Sequence, residues 1–385
     1  VIALGLTSLF TDLGAEMIVP LLPLWLATMG AGPAFLGLLE GAADALSATL
    51  KLVSGIWADK TGRDKPWVVG GYALAALARP LTAMTVTPWQ VLLVRMTDRT
   101  GKGLRSAPRD AMLARSVGAK DLTRAFGLQR SLDHAGALLG PLVASALLTL
   151  GFTLSQVFWW ALVPGVLAIV CASLARETPR TVPVAEKPLA AASETAPNPK
   201  RLRHFLAICA LFALANSSDV FLLVRARELG MSDAALPLTW TLLNGTKMLA
   251  ALAAGRWIAD DKRVRWIIAG WTIYALAYLG FAFNGEVLFF WILLALYGMF
   301  HGFTEPAERA FVKSLVPRAA AGRAFGWYHA LPGWLALPAA MLTGWLWEIG
   351  GAPLAFGACS AMALVCALLL LAGFGGKTSI RPASD

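Results

Sequence analysis

The sequence predicts an all-α polytopic membrane protein: twelve transmembrane helices in two pseudo-symmetric six-helix bundles. Three observations carry that reading. The first is composition, 57% hydrophobic and 15% charged over 385 residues, where a soluble domain carries about 25% charged residues. Such a surface must face something other than water. The second is a succession of apolar stretches of the ~20 residues needed to cross a bilayer. The third is an internal repeat. Arg124-Ala125-Phe126-Gly127 returns as Arg323-Ala324-Phe325-Gly326, and Gly55-Ile56-Trp57-Ala58-Asp59 returns, loosened by one residue, as Gly255-Arg256-Trp257-Ile258-Ala259-Asp260, both about 200 residues on. In so apolar a chain, two similar halves imply a carrier whose site lies between them.

Hydrophobic runs between turn signals place the first six spans at 4–28, 34–57, 66–86, 88–106, 122–149 and 155–175. The second six fall at 204–226, 234–257, 264–283, 286–306, 321–347 and 353–374. Between the bundles, 177–203 is rich in Pro, Ala, Thr and Lys, lacks an apolar period, and reads as a flexible linker. The domains are therefore 1–176, the linker 177–203, and 204–385. The chain opens on Val, from which a trimmed N-terminus is expected. No terminal segment stands out as a cleaved signal peptide or a one-pass anchor.

The formal net charge is +10, and its distribution decides what it means. Lys and Arg collect in the loops at 58–66, 105–121, 176–203, 258–265, 307–320 and 375–385, while the opposite loops near 31, 86 and 152 carry no charge. Alternation of this kind orients a membrane protein rather than binding nucleic acid. An even number of spans is then expected to put both termini on the cytoplasmic side of the membrane. The four cysteines, Cys171, Cys209, Cys359 and Cys366, sit inside apolar runs without metal-ligand spacing, so packing roles and no disulfide are expected. The sequence has no Walker-type phosphate loop, no H-E-x-x-H and no hydrolase-like triad, so no cofactor, no metal and no enzymatic activity are expected.

Two motifs now become informative. Gly55-Ile-Trp-Ala-Asp59-Lys-Thr-Gly62-Arg63-Asp64-Lys65 resembles the G-x-x-x-D-x-x-G-R-[KR]-[KR] signature of the major facilitator superfamily, with Asp64 departing from the first basic position after Arg63. In span five, Gly127, Gly136, Gly140 and Pro141 are similar to that superfamily's antiporter motif, with Ala144-Ser145 replacing its final glycine pair. Phe10-Thr-Asp12-Leu-Gly-Ala-Glu16-Met-Ile-Val-Pro20 and the run from Asp98 to Asp110 resemble a poorly characterised prokaryotic subgroup of permeases within it. The resemblance implies alternating access, a cavity lined by spans one, four, seven and ten, and a cytoplasmic gate at Gly55, Asp59, Gly62 and Arg63. Small residues in span five would allow close helix contact, and Pro141 disturbs the helical ladder.

Ionisable residues inside a bilayer cost a few kcal/mol or more unless they face protein or water. In span one, Asp12 and Glu16 are four apart on one face, and mutual repulsion makes them candidate proton carriers. Glu40, Asp44 and Lys51 of span two fall within roughly 40° of arc, an inward-looking stripe. Lys247 of span eight is the nearest counterpart of Lys51, one turn offset. Span four offers Arg95 at mid-depth with Asp98 beside it; Arg99, Lys102 and Arg105, nearer the cytoplasm, read as gating or interfacial. Arg79 reads as structural. Asp133 precedes the span-five glycines, with His134 next to it. Asn216-Ser-Ser-Asp219 interrupts span seven. His301 and Glu305 of span ten, again four apart, are read as able to share a proton or as a His bonded to a neighbouring helix. Trp159, Trp160, Trp345 and Trp347 read as interfacial belt residues.

The expected function is proton-coupled export of a small organic compound by a monomer in contact with membrane lipid. Uptake or exchange of an anionic metabolite or metal chelate, with Arg95, Lys51 and Lys247 as anion contacts, is the alternative; a non-transporting receptor is weaker.

Overall fold

The computed structural model describes residues 1–61, 63–117, 122–177, 199–257, 263–316 and 321–375. Among them every regular element is helical. Span one comprises Ile2–Ile18, a 3-10 turn Val19–Leu21 around Pro20, and Leu22–Thr28. Spans two to four are Pro33–Thr61, Lys65–Ala78 continued by the 3-10 segment Arg79–Met84, and Pro88–Arg115. Span five is Leu122–Thr149; span six comprises Leu154–Trp160 and Leu162–Leu174. Span seven is Pro199–Ala215 and Val220–Glu228, and spans eight to ten are Leu236–Trp257, Arg263–Phe283 and Val287–Ser314. Ala321–Phe374 holds spans eleven and twelve, joined where Gly350 and Gly351 leave the helical region, Gly351 at φ +64°.

Several ends differ from the sequence expectation. Spans two, four and ten run 4, 9 and 8 residues beyond their expected ends at 57, 106 and 306, to Thr61, Arg115 and Ser314. Their polar final turns lie past the apolar stretch that hydropathy detects. Span seven starts at Pro199, ahead of the expected 204, because Pro suits the first turn of a helix. The expected linker is thus shorter, and 178–198 lies outside the described residues. Among the described residues seven stretches qualify as spanning by length and apolarity alone, the one at Gly326–Phe374 covering two spans, and the described parts of spans two, three, four and eight do not qualify. Inward-facing charge lowers the hydropathy of two and four, which carry most of the site acids and bases.

The two bundles repeat one packing plan. Span one packs against five and six, two against four, and three against four and six; eight and nine pack against ten, and nine against twelve. Their interiors differ. The C-terminal bundle is held by stacked rings, Phe212 on Trp271 at 4.3 Å and Tyr274 on Tyr278 at 4.1 Å. The N-terminal bundle relies on small residues and ion pairs. Large apolar side chains such as Leu150, Leu288 and Val86 point outward, as lipid contact requires. Trp159, Trp160 and Trp345 are exposed, but Trp347 is buried and donates to Glu228 Oε1 at 2.9 Å, so it is a packing residue rather than a belt residue.

Between bundles, span two meets span eleven and span five meets span eight. These contacts concentrate at the end away from Arg63 and Asp64. An added Cβ on Gly37 would lie 2.2 Å from Ala340 O, and one on Gly344 2.6 Å from Pro33 O. Glu348 of span eleven accepts the Ala34 N–H at the start of span two, at 3.2 Å, and Ser145 of span five donates to Ala234 O at 2.7 Å. Toward the other end the bundles part around a vestibule of about 620 Å³ lined by Lys51, Leu52, Lys102, Gly326 and His329. The molecule is closed at one end and open at the end bearing the basic loops.

Candidate functional site

A cavity of about 320 Å³ lies between the bundles, lined by Glu16, Glu40, Asp44, Arg95, Arg99 and Lys102 from the first half and by Asn216, Asp219, Trp240 and His301 from the second. Span seven breaks where its sequence turns polar. The helix stops at Ala215 and restarts at Val220, so residues 216–219 present side chains and backbone to the cavity. Broken helices at the interface between repeats are a recurrent device of secondary carriers.

Helix periodicity organises the N-terminal wall. Arg95, Arg99 and Lys102 recur at four and three residues, hence on one face of span four. Arg95 grips Glu40 with two hydrogen bonds, 3.1 and 2.8 Å, and Asp98 bridges it (3.7 Å) to Arg79 (2.8 Å). Arg79 also donates to Thr11 O at 2.8 Å, the structural role its position suggested. All four side chains are buried. Arg95 and Asp98 therefore form a fixed strut rather than open contacts, and Asp98 stands behind Arg95, away from the central cavity. Arg99 lies 3.9 Å from Glu40 and 3.7 Å from Asp44, with its Nε–H unpartnered. Among the described residues, Lys102 faces the cavity without an ion-pair partner and Arg99 with only these two long contacts; the sequence reading gave both a gating or interfacial role. Their spacing from Arg95 was the signal that could have found them.

The span-five glycines explain a second arrangement. Gly136 and Gly140 lie so close to span one that an added Cβ would sit 2.2 Å from Leu9 O and 2.5 Å from Leu13 O. Asp133, one turn earlier on the same face, is thereby brought beside Asp12 of span one, while Arg130 of its own helix donates to its carboxylate at 3.2 Å. Two carboxylates held close repel, and a proton on one of them relieves the repulsion. Gly127 has nothing within 4 Å of an added Cβ and takes no part in this contact; Pro141 lies inside the helix. Asp12 is thus flanked by Asp133 across helices as well as by Glu16 along its own. Glu16 instead accepts the Trp240 indole N–H at 2.5 Å, a bond between the two halves.

In the C-terminal wall, Lys247 is paired with Asp219 at 2.7 Å, and Tyr297 donates to the same carboxylate at 2.5 Å. Lys247 is consequently not open to an anion. His301 and Glu305 do not share a proton. His301 Nε2 turns back to Tyr297 OH at 3.2 Å, while Glu305 reaches forward to Arg309. Lys51 stands exposed in the vestibule and His134 is exposed outside both cavities.

The expected gate falls largely outside the described residues: Gly62 itself, and the side chains at Gly55 and Asp59. Arg63 is exposed. Asp64, the departure from the motif, is buried in an ion pair with Arg115 at the end of span four, and its N–H donates to Glu177 at 2.5 Å. Asp64 thereby ties the start of span three to span four and to Glu177 beyond span six. Among the described residues no cluster of His, Cys, Asp and Glu is arranged to hold a metal.

Comparison with known proteins agrees with this architecture. Residues 4–243 and 204–383 match the family profile described as Major Facilitator Superfamily. An uncharacterised MFS-type transporter of Methanocaldococcus jannaschii is 30% identical over 382 residues, covering 96% of this chain and 93% of that protein. The multidrug resistance protein MdtH of Photorhabdus laumondii is 25% identical over 353 residues, covering 90% and 86%. The crystal structure of the nucleoside transporter NupG superposes with a TM-score of 0.79 at 15% identity, covering 97% of this chain and 98% of that one. The human organic anion transporter MFSD10 gives 0.68 at 16% identity, covering 96% and 98%. With two homologous six-helix bundles around a charged cavity, and a profile match across both, this chain belongs to the major facilitator superfamily of membrane transporters.

Proposed function

We propose that the protein is a secondary active transporter that works by alternating access and exports a small organic compound in exchange for protons. Its membrane is the prokaryotic inner membrane, with the basic loops and both termini on the cytoplasmic side. On this reading the vestibule is the cytoplasmic entrance, and rocking of the bundles would close it as the Gly37–Ala340 and Glu348–Ala34 contacts part.

The observation that carries proton coupling is the approach of the Asp12 and Asp133 carboxyls across spans one and five. On this reading mutual repulsion favours one proton shared by the pair. A positively charged group entering the cavity raises the local potential, favours ionisation of the pair, and expels the proton into the vestibule. After the bundles rock, the pair takes a proton from the outside and the substrate leaves. Glu16 acts differently. Its bond to Trp240 is made only while spans one and eight are close, so it reports and stabilises one conformation. The span-five glycines support this scheme by holding the acids together, and the likeness to MdtH proteins supports export.

A second reading, uptake or exchange of an anionic metabolite or metal chelate, is favoured by Arg99 and Lys102. Both line the cavity, and among the described residues neither has a close hydrogen-bonded ion partner.

The test is a pH-gradient assay in sealed proteoliposomes with lipophilic cations, anionic metabolites and metal chelates. Export by exchange requires substrate moving one way to dissipate an imposed gradient, and Asp12→Asn and Asp133→Asn to abolish that dissipation. Substrate crossing the membrane without proton flux would sink the coupling, and no crossing by any compound would favour a receptor.

A further inference from the structure

Beside the central cavity, inside the C-terminal bundle, lies a chamber of about 150 Å³ lined by Phe212, Trp271, Phe300, Thr304, Glu308 and Tyr328 among others. It opens into the central cavity past Asn216 and His301, which line both spaces. Nothing in the sequence singled out Glu308, which sits three residues beyond Glu305 in a polar helix end.

The chamber is rich in acceptors and poor in positive charge. Glu308 accepts from Trp271 Nε1 at 3.1 Å through one carboxylate oxygen and from Tyr328 OH at 2.6 Å through the other. Both donors are neutral, and a carboxylate satisfied by two neutral donors still lacks a counter-charge. Among the described residues Glu308 has no ion-pair partner, since its neighbour Arg309 is held by Glu305. Asn216 Oδ1 is buried without a hydrogen-bond donor at the mouth of the chamber. The first half of span seven also ends here, at Ala215. Its C-terminal carbonyls carry the negative end of the helix dipole, which favours a cation. Stacked Phe212 and Trp271, with Phe300 tilted against Phe212 at 5.7 Å, supply aromatic walls that attract a cation further. The size is that of one six-membered ring: an apolar cavity of ~150 Å³ accommodates benzene. Arg99 and Lys102, the cations that would repel such a group, stand on the opposite wall.

We propose that this chamber is an ammonium subsite, and that the exported compound is an organic amine whose cationic, ring-sized end is held by Glu308 between the aromatic walls. The inference deepens the transport reading and rests on it for the word exported. It adds the chemical class. It also fits exchange, because a bound ammonium and a proton are alternative ways of neutralising the negative charge in the cavity.

Three probes matched in size separate charge from shape: 2-phenylethylamine, 2-phenylethanol and 3-phenylpropionate. Their dissociation constants for the purified full-length protein in detergent are measured by thermal stabilisation, which follows mass action. The amine binds at least tenfold more tightly than the alcohol, as a charge-assisted hydrogen bond implies, and the carboxylate binds no better than the alcohol. Glu308→Gln, which conserves shape, removes the amine's advantage, whereas Glu308→Asp keeps it in reduced form. Equal binding of amine and alcohol by the unmodified protein overturns the proposal without reference to any variant. So does preference for the carboxylate, an amine preference that survives Glu308→Gln, or no binding at millimolar concentration. Proteoliposome flux of the amine is measured separately. Charge-selective binding without flux would overturn transport and leave the subsite standing.

Discussion

The indole N–H of Trp240 in span eight donates to the Glu16 carboxylate in span one across 2.5 Å. It is a bond between the two bundles, set at the wall of the cavity they share. Any motion that separates spans one and eight must break it. Hydrogen bonds to charged groups contribute about 1.5–3 kcal/mol, enough to shift a two-state equilibrium by tenfold or more.

Trp240→Phe should therefore depopulate the state closed at the far end. In a protein whose native cysteines are replaced, a cysteine introduced at Ala340 should react with a membrane-impermeant maleimide from that side about tenfold faster in the Trp240→Phe background. Unaltered reactivity would show that the bond does not contribute to closure.

Asp133→Asn should remove the shared proton and leave the cavity wall intact, since Asp133 does not line it. Amine binding should change less than about threefold, while proton release on binding, read with a pH indicator in weakly buffered detergent solution, should vanish. Proton release of normal size would assign the coupling acid elsewhere.

The span-five glycines should separate sharply. Gly136→Ala drives a methyl against the Leu9 carbonyl, backbone that cannot step aside, and overpacking of this kind costs about 1–3 kcal/mol. It should lower the thermal midpoint and abolish proton coupling by parting Asp12 from Asp133. Gly127→Ala meets open space and should leave both unchanged.

Arg95→Met should destabilise strongly, by about 3–5 kcal/mol, because it strands the buried Glu40 carboxylate. Glu40→Gln combined with Arg95→Met should recover part of that loss in denaturation experiments. If the single variant were as stable as the parent, the strut would have no structural role.

Much of the fold was legible in the sequence because a bilayer imposes one-dimensional rules. Apolar runs of fixed length, charge in alternate loops, and glycines at helical spacing each record a local constraint. The polar break at Asn216–Asp219 is of the same kind, since four polar residues in an apolar helix cannot all be satisfied along it.

Partnership within the cavity was not legible. Spacing alone set Asp12 beside Glu16 and His301 beside Glu305, yet Asp133 also stands against Asp12, Glu16 bonds Trp240, His301 bonds Tyr297 and Glu305 bonds Arg309. Periodicity says which side chains share a face but not what stands opposite that face. Arg95 and Lys247, offered as anion contacts, are paired with Glu40 and Asp219, whereas Lys102 and Glu308 line cavities without an ion pair among the described residues.

The sequence by itself thus determined the membrane class, the duplicated halves and the span-five glycine seam. Tertiary structure alone decided which charges cancel and which stay free. That division has a physical reason. Insertion in a membrane is governed by each segment's own composition, but the net charge of a cavity depends on pairs drawn from helices far apart in the chain.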